Sequence, residues 1–154
     1  MTAEGIGVFF CECGPNIKDA VDLDYLAQYA RGLENVVVAK PFPLLCSLDG
    51  KETLAKEIRE RGLNGVVIAA CSPKEHEHTF RQIMEKAGLN PFLLQIANIR
   101  EQCAWVHDKE EATEVAENLI TMAVEGLRHR EDFPIELYPV VQKALVIGGG
   151  VAGM

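Results

Sequence analysis

Five cysteines, Cys11, Cys13, Cys46, Cys71 and Cys103, are the residues of this 154-residue sequence best suited to chemistry. Thiolates bind soft metals and iron–sulfur clusters, attack electrophiles, or join as disulfides. The number is odd, and the opening Met-Thr-Ala-Glu-Gly has neither a basic stretch nor a long apolar run of the kind a secretory leader needs. A disulfide framework is thus a poor reading, and thiols kept for metal or redox work a better one. The bland alternative is that each is a small buried hydrophobe. Spacing alone does not choose between zinc and a cluster. Only Cys11-Glu12-Cys13 is close; the later gaps are 32, 24 and 31 residues. Paired zinc knuckles and the tight runs of ferredoxins are both absent. His76 and His78, in the first turns after Cys71, have the chemistry to join a zinc site, although ordinary exposed helix positions explain them as well. Cys71 also precedes a helix start, where a thiol can be activated as a nucleophile, but no Asp or Asn is identified to orient a histidine partner.

A second motif closes the sequence. Ala144-Leu-Val-Ile-Gly-Gly-Gly-Val-Ala-Gly-Met154 reads as a strand followed by Gly-x-Gly-x-x-Gly at Gly148, Gly150 and Gly153. Such glycines allow a tight turn and close approach to a pyrophosphate at a helix N-terminus. The helix, and the acid that would bind the ribose, are not in the sequence, so no FAD is expected on this segment by itself.

The elements that must position the thiols alternate. Ile6–Cys11, Asn35–Lys40, Gly65–Ala70 and Pro91–Ile96 read as strands. Helices are expected from about Leu23 to Leu33 with Asp22 as cap, and from about Lys51 to Arg61 with Gly62 as C-cap. A third begins at Ser72-Pro-Lys-Glu75, a capping box, and a fourth covers Lys109–Arg128. Lys40–Cys46, with two prolines, reads as a loop, and Asn98–His107 as irregular or a short helix. This alternation predicts an α/β fold: a small doubly wound, Rossmann-like sheet, mostly parallel, of about four strands with flanking helices. All β-to-α loops then lie at one edge, where ligands bind. All five cysteines fall in or beside those loops, and the expected helices hold none.

Composition is that of a globular protein, with 48% hydrophobic and 25% charged residues. Lys plus Arg is 15 against 23 for Asp plus Glu, a balance of −8 that argues against general nucleic-acid binding and fits a cytoplasmic protein. The longest apolar runs are far short of the ~20 residues that span a bilayer. The organisation expected is a domain over residues 5–130, a linker over 131–143, and the truncated start of a FAD-binding Rossmann domain over 144–154.

The residues resemble those of a known family, the A-type subunit of heterodisulfide reductase, an iron–sulfur flavoprotein. The resemblance rests on Cys11-x-Cys13-Gly14, Cys46-Ser47, Cys71-Ser72-Pro73-x-x-His76-Glu77-x-Thr79-Phe80, Asn98-Ile-Arg-Glu-Gln-Cys103-Ala-Trp-Val-His107 and Lys143-Ala-Leu-Val-Ile-Gly-Gly-Gly150. It implies the N-terminal region of such a protein, with a 4Fe–4S cluster on its own cysteines and FAD bound only in the full-length protein. The implied role is electron transfer between the FAD domain and partners, which are other heterodisulfide reductase subunits or a hydrogenase or dehydrogenase. A structural zinc or docking domain of the same complex is the alternative. The expected ligands are Cys13, Cys46, Cys71 and Cys103, one from each of four loops, with Cys11 in reserve as a supporting thiol inside its strand. Phe10, Phe42 and Trp105 are expected to keep water away.

Overall fold

A computed structural model describes residues 5–154, so the leader reading of residues 1–4 lies outside the described part. The chain runs β1 (Ile6–Cys11), α1 (Pro15–Lys18), α2 (Leu23–Arg31), β2 (Val36–Phe42), α3 (Leu48–Arg61), β3 (Gly65–Ala70) and α4 (Pro73–Ala87). Then come β4 (Leu94–Asn98), a π-helical turn (Arg100–Ala104) and α5 (Lys109–Arg128). The four strands form one sheet in the order β2-β1-β3-β4, every pair parallel. This is the expected doubly wound α/β architecture. Its order reverses between β1 and β3, which makes that junction the switch point.

Alternation along the strands sorts the core into two layers. Ile6, Val8 and Phe10 of β1, with Val67 and Ala69 of β3, pack against Leu26 and Ala30 of α2 and Ala116, Ile120 and Leu127 of α5. Phe9 and Cys11, with Val66, Ile68 and Ala70, pack against Leu54 and Ile58 of α3 and Phe80, Ile83 and Met84 of α4. Both faces of β1 and β3 are covered, so both strands are buried end to end and read as continuous apolar runs.

Several local expectations shift for physical reasons. β2 runs on through Pro41 to Phe42 rather than stopping at Lys40, because β2 is an edge strand and the missing proline N–H faces no neighbour. α3 starts three residues early, since Ser47 accepts a hydrogen bond from the Gly50 N–H and caps it. Ser72 caps α4 through the Lys74 N–H, but its own N–H goes to Glu101 rather than to Glu75 of the expected capping box. β4 is displaced to Leu94–Asn98. Residues 131–149 have no regular structure, and Leu145 and Ile147 are exposed, as expected of a lone strand-like segment with no ladder to complete its hydrogen bonds.

Candidate metal centre

Four of the five thiols gather at the carboxyl ends of β1 and β3 and in the loop after β2. Cys11 is the last residue of β1 and is buried on the α3–α4 side. Cys13 follows in the left-handed region, at φ 51°, before Gly14 at φ 58°. A non-glycine residue there costs roughly 1–2 kcal/mol, and the chain bears that cost beside the switch point. Cys46 immediately precedes Ser47, the cap of α3, and Cys71 immediately precedes Ser72, the cap of α4. Two helices of 14 and 15 residues therefore begin at this edge, and their positive ends favour anionic sulfur.

The thiols sense one another. Burial pushes the Cys11 thiol up; the backbone N–H groups of Leu45 and Cys13 pull against that rise, while the nearby Cys13 and Cys46 sulfurs add to it more weakly. Burial likewise pushes Cys71 up to about 11, with Glu101, Cys13 and Cys11 further opposing its ionisation and Arg100 favouring it. A metal-free Cys71 is thus the opposite of an activated nucleophile, which needs a low pKa and exposure. Bound cations reverse this logic, because a coordinating thiol is deprotonated outright.

Arg100, in the π-helical turn, is the cation at the site. Its Nη1 donates to Cys13 Sγ at 3.1 Å, while Nε and Nη2 donate to Glu101 Oε1 at 3.1 and 2.7 Å. Glu101 Oε2 accepts the Ser72 N–H at 2.8 Å. Although burial opposes its charge, Arg100 is held ionised by Glu101 and Cys13. Burial also works against the Glu101 carboxylate, yet Arg100 and the Ser72 N–H keep it below the usual carboxylate range. The turn itself is anchored by Asn98, a buried polar side chain whose Oδ1 accepts the N–H groups of Arg100 and Glu101. Sequence reasoning passed over Arg100, Glu101 and Asn98 as site residues; the dense Asn-Ile-Arg-Glu-Gln-Cys run was the available signal.

Cys103 stands apart. It is fully buried in the other layer, among the residues under α5. Its thiol donates to the Ala112 carbonyl at 2.9 Å, and burial raises its pKa to about 11. Phe10 points into that same layer. Phe42, by contrast, meets Phe9 edge to face at 5.9 Å on the Cys11 side. Trp105 is 57% exposed and lies over the Arg100 guanidinium instead of shielding Cys103. His76 packs edge to face on Phe80, and His78 shares a hydrogen bond with Gln82. Among the described residues, no three Cys, His, Asp or Glu side chains are already drawn together as a metal-binding group. The donor chemistry nevertheless fits a soft centre: several neighbouring thiols, two helix N-termini and one fixed cation.

The glycine motif lies elsewhere, exposed at the end of the chain. Gly148 has φ 108°, and a Cβ at Gly153 would fall 2.1 Å from the Gly148 carbonyl, so the turn closes only with glycine there. A separate groove of about 640 Å³ between α3 and α4 is lined by Lys51, Lys56, Arg59 and Lys86 and holds no cysteine. No helix among the described residues is long and apolar enough to cross a membrane.

No family model matches the chain. Over 151 residues, 97% of its length, the chain is 48% identical to the A-type iron–sulfur subunit of a CoB–CoM heterodisulfide reductase of Methanopyrus kandleri. It is 52% identical, over the same share, to the A-type subunit of an H(2):CoB-CoM heterodisulfide,ferredoxin reductase of Methanothermobacter thermautotrophicus. It is 47% identical to the A-type subunit of a ferredoxin/F(420)H(2)-dependent CoB-CoM heterodisulfide reductase of Methanosarcina acetivorans. The chain spans 23%, 23% and 19% of the length of these three curated relatives.

Proposed function

Because the chain belongs to the family of heterodisulfide reductase A-type subunits, we propose that it is an electron-transfer domain built around a 4Fe–4S cluster. The observation that carries this reading is the placement of Cys11, Cys13, Cys46 and Cys71 along one sheet edge, where two helices begin and Arg100 abuts a sulfur. The term "iron-sulfur" in the name of the Methanopyrus relative points the same way. When bound, the cluster would supply one-electron acceptance and release. The chain's residues would do the rest. Cys11, Cys13, Cys46 and Cys71 would hold iron as thiolates, and the α3 and α4 N-termini would offset their charge. The Phe9–Phe42 pair would limit water. Cys103, the remaining member of the expected set, is assigned a packing role. In the full-length protein, Gly148, Gly150 and Gly153 would open the FAD site, and the domain would pass electrons between that flavin and partner subunits.

Single Cys→Ser variants, reconstituted anaerobically with iron and sulfide, test the ligand set. Cys46→Ser and Cys71→Ser should lose most of the cluster absorbance, and Cys103→Ser should keep it. Full retention in both Cys46→Ser and Cys71→Ser would end the cluster reading. Loss in Cys103→Ser alone would return ligation to the other layer. A chain that binds stoichiometric zinc and no sulfide would instead be a structural zinc domain, which draws on the same thiolates.

A further inference from the structure

We infer that Arg100 is a positioning residue that sets the reduction potential of the thiolate centre through its contact with Cys13; this rests on the cluster reading above. The guanidinium is a rigid fork, permanently charged. Glu101 takes one edge of that fork at Nε and Nη2, which leaves Nη1 directed at Cys13 Sγ, 3.1 Å away. The orientation is fixed by one further contact and by two that anchor its partners. The Trp105 ring covers the guanidinium, 5.0 Å from its centroid. Trp105 is itself tied to Asn16 of α1 by an indole N–H bond of 3.3 Å. Glu101 is tied to the Ser72 N–H at the start of α4. One residue pair of the π-helical turn thus bridges the loop that carries Cys13 and the cap that follows Cys71. With side chains only 18% and 26% exposed, Arg100 and Glu101 are shielded from much of the solvent screening that weakens surface pairs.

The consequence follows from charge. Reduction adds one electron and no proton to the centre, so its thiolate–iron assembly becomes more negative by one. A fixed cation donating to a ligand sulfur stabilises the reduced form more than the oxidised form and raises the potential; hydrogen bonds to sulfur are a known lever on cluster potentials. A simple packing role for Arg100 would leave the potential unchanged once the cluster is bound.

The test uses the chain reconstituted anaerobically with iron and sulfide, titrated with dithionite and followed by electron paramagnetic resonance. Arg100→Gln should load iron and sulfide as the unsubstituted chain does, with a midpoint potential shifted to more negative values. Arg100→Lys, which keeps a charge without the fork, should recover part of the shift. If Arg100→Gln folds but loses the cluster while Arg100→Lys retains it, Arg100 acts in assembly and not on the potential, which overturns the assignment. A fully loaded Arg100→Gln chain with an unshifted potential overturns it, as does cluster loss in both variants with an unchanged thermal melt. An unsubstituted chain that takes up no iron overturns the cluster reading and this inference together.

Discussion

Cys71 and Cys103 both hold their protons tightly, each raised to about 11 by burial, yet they are buried against different things. Cys71 faces Arg100, Cys11 and Cys13; Cys103 faces the backbone of α5. Cys103→Ala should therefore cost about 1 kcal/mol or somewhat more, from a small void and the loss of the thiol's hydrogen bond to the Ala112 carbonyl. It should not change the iron bound per chain. Urea denaturation with iron analysis of the same samples checks both parts. Loss of iron with unchanged stability would place Cys103 at the centre after all. At this scale the sequence was partly legible. The type and loop position of every cysteine are plain in it. What it hides is direction. Cys11 sits within β1 and Cys103 beyond β4, and only the packed layers reveal which way each sulfur turns. Arg100 was hidden for the same reason: its partner Cys13 lies 87 residues away.

At the scale of elements, the first turn of α3 does the placing of Cys46. Gly50 lies in that turn, and a Cβ there would come within 2.2 Å of the Leu44 carbonyl and 2.9 Å of Leu45 Cα. Backbone atoms cannot step aside as a side chain tip can. Gly50→Ala should thus destabilise the chain by about 1–3 kcal/mol and disturb the loop of Cys46 along with it, read as a lower melting temperature and reduced cluster loading. An unchanged melt would mean that this turn is softer than its packing indicates. Helices α2 and α5 could be read directly from the sequence, because Asp22 caps the one and heptad-like apolar spacing marks the other. The starts of α3 and β4 could not. Ser47 does not announce itself as a cap because the apolar face of α3 is thin until Leu54, and the Pro91 signal belongs to the approach to β4 rather than to the strand.

At the scale of the whole molecule, the edge strand β2 is tied to α3 by an ion cluster away from the thiols. Glu57 accepts from Lys40 at 2.6 Å and from Arg61 at 2.6 Å. Burial works against the Glu57 carboxylate, but the two cations prevail and hold its pKa below the usual carboxylate range. A folded pKa below the unfolded one gives stability that is present above the unfolded value and lost as pH falls through the folded value. The stability gap between the unsubstituted chain and Glu57→Gln should therefore be open at neutral pH and close in the acid range below the usual glutamate pKa. Urea melts at pH 7 and pH 3 measure it, and a gap that stays constant would contradict the pairing. The parallel sheet was legible as a class from strand–helix alternation, but its order was not; the unpaired state of Leu145–Gly148 was legible as well, since a strand-like segment without a neighbour to pair with frays.

Iron and acid-labile sulfide, determined on anaerobically reconstituted chain, test the central claim most directly. A 4Fe–4S centre at the switch point predicts about four irons and four sulfides per chain, both lost in Cys71→Ser. One zinc per chain without sulfide, or iron and sulfide that survive Cys71→Ser undiminished, would contradict it.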